Sequence, residues 1–174
     1  MKTLNLFKAA IFTFSLFLTG NVMAQDMNIV ETAISSKDHT TLVAAVKAAD
    51  LVGVLTGEGP FTVFAPTNAA FAKLPAGTVE SLLKAENKAQ LQAVLTYHVV
   101  AGSFTASDVI GLIKKGKGKA VIPTVNGGTL TAMMMDGAVY IADENGNKSK
   151  VIAADLKNTN GIIHVVDTVV LPKS

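Results

Sequence analysis

The 174-residue chain has no cysteine and no tryptophan, and all 15 of its basic residues are lysine. Without cysteine there is no disulfide framework and no thiol chemistry. There is also no cysteine behind a leader to carry a bacterial-type lipid anchor. Aromatics are scarce, at eight Phe and two Tyr. Four of the Phe fall within the first 17 positions, which leaves Phe61, Phe64, Phe71, Phe104, Tyr97 and Tyr140 for the rest. Stacking on single-stranded nucleic acid or sugar rings draws on exposed aromatics, and most of these occupy positions predicted to face a core. The chain contains no G-x-S-x-G nucleophile turn, no G-x-x-x-x-G-K-[ST] phosphate cradle and no G-x-G-x-x-G dinucleotide turn. Its three histidines, His39, His98 and His164, form no H-x-H or H-x-x-x-H pair, so no ligand spacing suggests a metal.

What is present begins with an export signal. Lys2 and Lys8 precede and open an apolar stretch, roughly Ala9 to Leu18, that Gly20 and Asn21 break. Val22-Met23-Ala24 then supplies small residues for a cleavage between Ala24 and Gln25. The stretch is well short of the ~20 residues that span a bilayer. Residues 1–24 are therefore expected to be removed, leaving residues 25–174 as one domain, secreted or periplasmic and without a membrane anchor. Removal takes two lysines and no acid, so 13 Lys face 13 Asp plus Glu. A neutral mature chain makes no case for nucleic acid.

Hydrophobic periodicity divides the remainder. The first half reads as helices: one after an Asp26 cap, with Ile29, Val30, Ala33 and Ile34 on one face, and another over Asp38 to Leu51. Gly57, Gly59 and Pro60 deliver the chain into a short strand, Phe61 to Ala65, and Thr67 caps a helix bearing Phe71 and Leu74. Helices follow at Thr78 to Lys84, behind an Asn87/Gln90 capping box with Leu91, Val94 and Leu95 inward, and at Ser107 to Lys115. The second half reads as strands at Leu130 to Met135, Ala138 to Ala142, Lys150 to Ala154 and Gly161 to Leu171. Asn126-Gly127, Asp136-Gly137 and Asn145-Gly146 are hairpin-turn dipeptides. Helices first and antiparallel strands after give an α+β domain.

Among residues able to carry chemistry, His98 shares a helical face with Leu91, Val94 and Leu95. It is expected to be a hydrogen-bonded core histidine tying that helix to a strand. His164 alternates with Ile162 and Val166 in an apolar strand, and His39 is expected to be solvated. The Lys114–Lys119 run reads as a solvated loop at a helix end. Met133, Met134 and Met135 alternate faces of a strand and cannot chelate together. Asn147-Lys148-Ser149 matches a glycosylation acceptor by a weak pattern.

Three segments resemble the fasciclin-like domain family: Gly59 to Phe71 (GPFTVFAPTNAAF), Leu95 to Val100 (LTYHVV), and Asn160 to Asp167 (NGIIHVVD) followed by Val170-Leu171-Pro172. The resemblance covers about residues 27–172. The resemblance implies a fasciclin-like α+β fold, an antiparallel β-sandwich or wedge with several helices along one side. It implies a non-catalytic role in cell adhesion, through a protein, matrix or carbohydrate surface, with no cofactor and no metal. It also marks Thr62, Phe64, Ala65, Pro66, Thr67, Tyr97, His98, Asn160, Gly161, His164 and Asp167 as structural or interaction residues. Tyr97 and His98 match a family segment linked to receptor contact. An alternative reading is an exported small-molecule or lipid-binding protein with a cleft between helices and sheet, lined in part by the Met-rich strand.

Overall fold

A computed structural model describes residues 26–173; the expected signal peptide, with Ala24 and Gln25, lies outside the described residues. Three α-helices precede the first strand and four follow it, and the longest reach ten residues. They are α1 (Ile29–Ser35), α2 (Thr40–Ala48), α3 (Val52–Leu55), α4 (Asn68–Ala72), α5 (Thr78–Leu82), α6 (Lys88–Tyr97) and α7 (Ala106–Lys115). The strands are β1 (Phe61–Pro66), β2 (Val99–Ala101), β3 (Lys119–Pro123), β4 (Thr129–Met135), β5 (Ala138–Ala142), β6 (Lys148–Asn158) and β7 (Gly161–Val166).

Capping decides where several helices start. Asn28, rather than Asp26, opens α1. Its side chain accepts from Glu31 N–H at 3.0 Å, and the Glu31 carboxylate accepts from Asn28 N–H at 2.8 Å. Thr67 caps α4 as expected, through Ala70 N–H at 3.2 Å. The Asn87/Gln90 box is not formed. The Asn87 amide instead donates to the Ser81 carbonyl at 2.7 Å, tying α6 to α5. A box does form at Thr105 and Asp108, one turn into α7. The Thr105 backbone N–H and hydroxyl both donate to the Asp108 carboxylate and hold its pKa below the usual value.

The strands form one seven-stranded sheet in the order β2-β1-β7-β6-β5-β4-β3. Its meander half, β3 to β7, is antiparallel, with turns at the expected Asn-Gly and Asp-Gly dipeptides. The central pair is not: β1 runs parallel to β7, with Phe61 opposite Gly161 and Phe64 opposite His164. Gly161 permits this pairing, because a Cβ there would stand 2.0 Å from the Phe61 carbonyl oxygen. β6 carries the sheet round a bend. Its first residues pair with β5, and the rest pair with β7 through two register shifts. The ends of the sheet approach each other, Val125 N–H donating to the Val99 carbonyl at 2.8 Å, so the wedge nearly closes.

Two hydrophobic cores lie on opposite faces of β1 and β7. Val63, Ala65, Ile163 and Val165 face a core supplied by α1 to α6. Phe64 and Val166 face a second core with Val109 and Ile113 of α7 and Leu130, Ala132 and Ile141 of the meander. This double coverage explains why the closing segment is apolar at nearly every position. β2 and β3 were not expected. The first is only three residues long, and the second begins at Lys119, inside the run read as a loop.

Candidate functional site

The three motif segments converge on the β1–β7 pair and the α6–β2 junction, and most of their polar atoms are spent there. Thr62 is fully buried; its hydroxyl donates to the Gly102 carbonyl at 2.7 Å and accepts from Phe104 N–H at 2.9 Å. Two positions along β1, Phe64 stacks on the His164 ring, with centroids 5.6 Å apart. His164 Nε2 donates to the Phe104 carbonyl at 2.7 Å, while Nδ1 accepts from Asp155 N–H at 3.3 Å. Thr62 and His164 thus both fasten the segment ahead of α7 onto the central strands. Ala65 and Pro66 are buried at the end of β1.

His98 is 2 % exposed, at the C-terminal end of α6. Val170 N–H donates to its Nε2 at 3.2 Å, so the proton sits on Nδ1, which donates to the Val94 carbonyl at 2.8 Å. Burial without a counter-charge in hydrogen-bond reach pushes its pKa down to about 4. The ring ties α6 to the C-terminal segment. Tyr97 is fully buried, its hydroxyl donating to the Thr129 carbonyl at 2.6 Å and accepting from Glu144 N–H at 3.2 Å. Burial raises its pKa, and the nearby Glu144 and Asp143 charges add to the rise. Gly128 lies flat on the ring, where a Cβ would stand 2.8 Å from it. Neither member of the tyrosine–histidine pair offers its polar atoms to solvent.

Asn160 joins three elements: Oδ1 accepts from Ile29 N–H at 3.0 Å, and Nδ2 donates to Leu55 at 2.7 Å and Gly57 at 3.1 Å. Asp167 accepts from Lys150 N–H at 2.9 Å and lies 3.8 Å from the Lys73 ammonium. The motifs reach solvent chiefly at one end of the sheet. There Gly59, Pro60, Asn160 and Gly161 line an open groove of about 730 Å³, with Glu58, Lys157, Ser103 and Thr105 around them.

His39 departs from expectation. It is 7 % exposed rather than solvated, with Nδ1 on the Ser36 hydroxyl at 2.8 Å. Its Nε2 lies toward the Ala65 carbonyl without meeting hydrogen-bond geometry, and burial lowers its pKa. Asp143 went unnoticed in the sequence. Its buried carboxylate accepts from Asn145 N–H, Asn147 N–H and the Asn147 amide, each at 2.9 Å, and from Leu171 N–H at 3.0 Å. An Asp two residues before Asn-Gly is the signal of such a self-bonded turn. The same contact engages the Asn147 amide of the glycosylation pattern, and Ser149 is fully buried on Thr168. Among the described residues no cluster of three metal-binding side chains occurs.

This geometry can be set beside known proteins. The family model described as the fasciclin domain matches residues 37–172. The chain belongs to the fasciclin domain family. A relative, protein sll1483 of Synechocystis, is 53% identical over 146 residues, covering 84% of this chain and 74% of that protein. The cell surface glycolipoprotein MPB83 of Mycobacterium bovis is 33% identical over 159 residues, 88% of this chain and 64% of its own. The solved fasciclin domain pair of the insect cell adhesion molecule fasciclin I superposes with a TM-score of 0.74 at 21% identity. That match covers 84% of this chain and 51% of the other, and it establishes the shared fold.

Proposed function

We propose that this chain is an exported fasciclin-domain module for adhesion or envelope interaction, acting through its surface without catalysis or a cofactor. The observation that carries this reading is the internal use of the motif side chains. Thr62, Tyr97, His98, Asn160 and His164 are each held by partners within the fold, and so are framework rather than reactive groups. A relative named as a cell surface glycolipoprotein and a fold neighbour named as a cell adhesion molecule agree with it. Export, to the periplasm or beyond, rests on the leader sequence. The test is binding of fluorescently labelled mature chain to whole cells and isolated envelopes of its source organism, with fractionation to locate the native protein. Saturable binding is expected; none to cells, matrix or envelope would defeat the reading.

A second reading, capture of a small molecule, has one specific feature in its favour. A pocket of about 260 Å³ opens beside Phe64 and His164, lined by Val109, Val139, Val151 and Ala154. The cleft between helices and sheet, by contrast, holds only about 30 Å³, room for a water or two and not for a lipid. Native mass spectrometry of chain purified from its own host separates the readings: a co-purifying small molecule supports the second, and bare mass the first.

A further inference from the structure

Among the described residues, the meander half of the sheet has one face without a helix. Ala120, Ile122, Leu130, Ala132 and Ile141 point to the core under α7, so the alternate residues of the same strands point outward. Register places them in rows. Lys119 stands opposite Met133, Met133 opposite Tyr140, and Tyr140 opposite Lys150. One row along, Val121, Thr131, Ala142 and Lys148 are aligned in the same way. Residues directly opposite one another share a face, so an apolar centre of Met133 and Tyr140 has a lysine on either side. Val121, 67 % exposed, extends that centre.

The charge on the meander strands is one-sided although the expected mature chain is neutral, and the acid beside them, Asp167, is engaged by Lys150 N–H and the Lys73 ammonium. Strands β3, β4 and β5 and residues 148–151 of β6 contain three lysines and no acid. Asp136 and Glu144 lie beyond the ends of the strands, in the turns. Lys119 and Lys150 are three strand spacings apart, about 14 Å, which is wide enough to flank a docked side-chain cluster. Protein interfaces have this composition, with Tyr and Met enriched at the centre and charge at the rim. A plain polyanion would leave the apolar centre unused. A bilayer surface is met by a broad apolar face, whereas here the apolar centre is small and framed by lysines.

Building on the interaction-module reading, we propose that this face docks an acidic protein partner, whose apolar side chain seats on Met133 and Tyr140 while its carboxylates meet Lys119 and Lys150. A glutamate–tyrosine random copolymer serves as the probe, with poly-glutamate and phosphatidylglycerol vesicles as controls, in biolayer interferometry on the purified chain. The copolymer is expected to bind about tenfold more tightly than poly-glutamate, and Lys119→Glu/Lys150→Glu to weaken it at least about tenfold. Tyr140→Ala should remove the advantage over poly-glutamate, and methyl signals of Met133 should shift on titration. Both lysines are exposed, so the double variant should melt like the parent and decides the matter even if Tyr140→Ala fails to fold. Unchanged copolymer affinity in the double variant overturns the proposal, as does equal binding of poly-glutamate or of the vesicles. Variants that still bind source cells like the parent would defeat this face while leaving the adhesion reading intact. A parent that binds no source cells defeats adhesion, and the copolymer still tests the face.

Discussion

Acid should weaken this domain through His98. In the fold its pKa is about 4 against 6.5 for the free side chain. Both nitrogens are committed in the neutral form, Nδ1 to the Val94 carbonyl and Nε2 to Val170 N–H. A proton on Nε2 would set two N–H groups against each other in a buried site. Because the folded pKa is the lower one, the unfolded chain takes up the proton first as pH falls. The contribution of His98 is therefore whole above about pH 6.5, drains between about 6.5 and 4, and changes little below that. At 1.36 kcal/mol per unit the loss amounts to about 3 kcal/mol, a large share of the ~5–15 kcal/mol that holds a typical domain. Urea unfolding at half-unit steps from pH 7.5 to 4 measures it, comparing the parent with His98→Gln. Glutamine can keep an acceptor toward Val170 but cannot titrate. The parent should lose about 3 kcal/mol more than the variant across the window. His39, also depressed by burial, adds the same sign in both proteins and cancels in the comparison. Parallel pH profiles for the two proteins, or a parent more stable at pH 5 than at 7, would refute the reasoning.

Other perturbations follow from particular contacts. Asp143→Ala removes the acceptor of the donors in the β5–β6 turn and of Leu171 N–H; a loss of about 3 kcal/mol is expected in urea unfolding, with Asp143→Asn intermediate. Thr62→Val leaves Phe104 N–H and the Gly102 carbonyl unpaired and should cost about 2 kcal/mol, read as a lowered melting temperature. Gly161→Ala drives a Cβ into the Phe61 carbonyl and should cost at least about 3 kcal/mol or prevent folding, as judged by circular dichroism. Gly111→Ala in α7 meets open space and should instead stabilise by about 0.5–1 kcal/mol in the same assay.

Much of this arrangement was legible in one dimension because it depends on neighbours in the chain. Hairpin turns at Asn126-Gly127, Asp136-Gly137 and Asn145-Gly146 need only positive φ at the right places, and glycine supplies it. The Thr67 cap and the inward stripe of α6 follow from helical spacing. Where local signals competed, they misled. Asp26 and Asn28 are both good caps, and only Asn28 has Glu31 three residues on. Asn87 could have capped α6, but its amide found Ser81 first. His39 looked solvated because burial there comes from packing of distant segments, including Ala65.

Composition and local pattern determined the α+β class, the family, the expected leader and the balance of charge once it is removed. Tertiary structure decided what no short window contains. It paired β1 with β7 in parallel across 100 positions, since the pairing depends on two apolar faces meeting and on Gly161 letting the backbones approach. It set the proton on Nδ1 of His98, since a tautomer follows from which donor comes to the other nitrogen. It also gathered Lys119 and Lys150, 31 positions apart, beside one tyrosine and one methionine. Charge balance is a sum over the chain, whereas a charged face depends on strand register, which exists only when the sheet has formed.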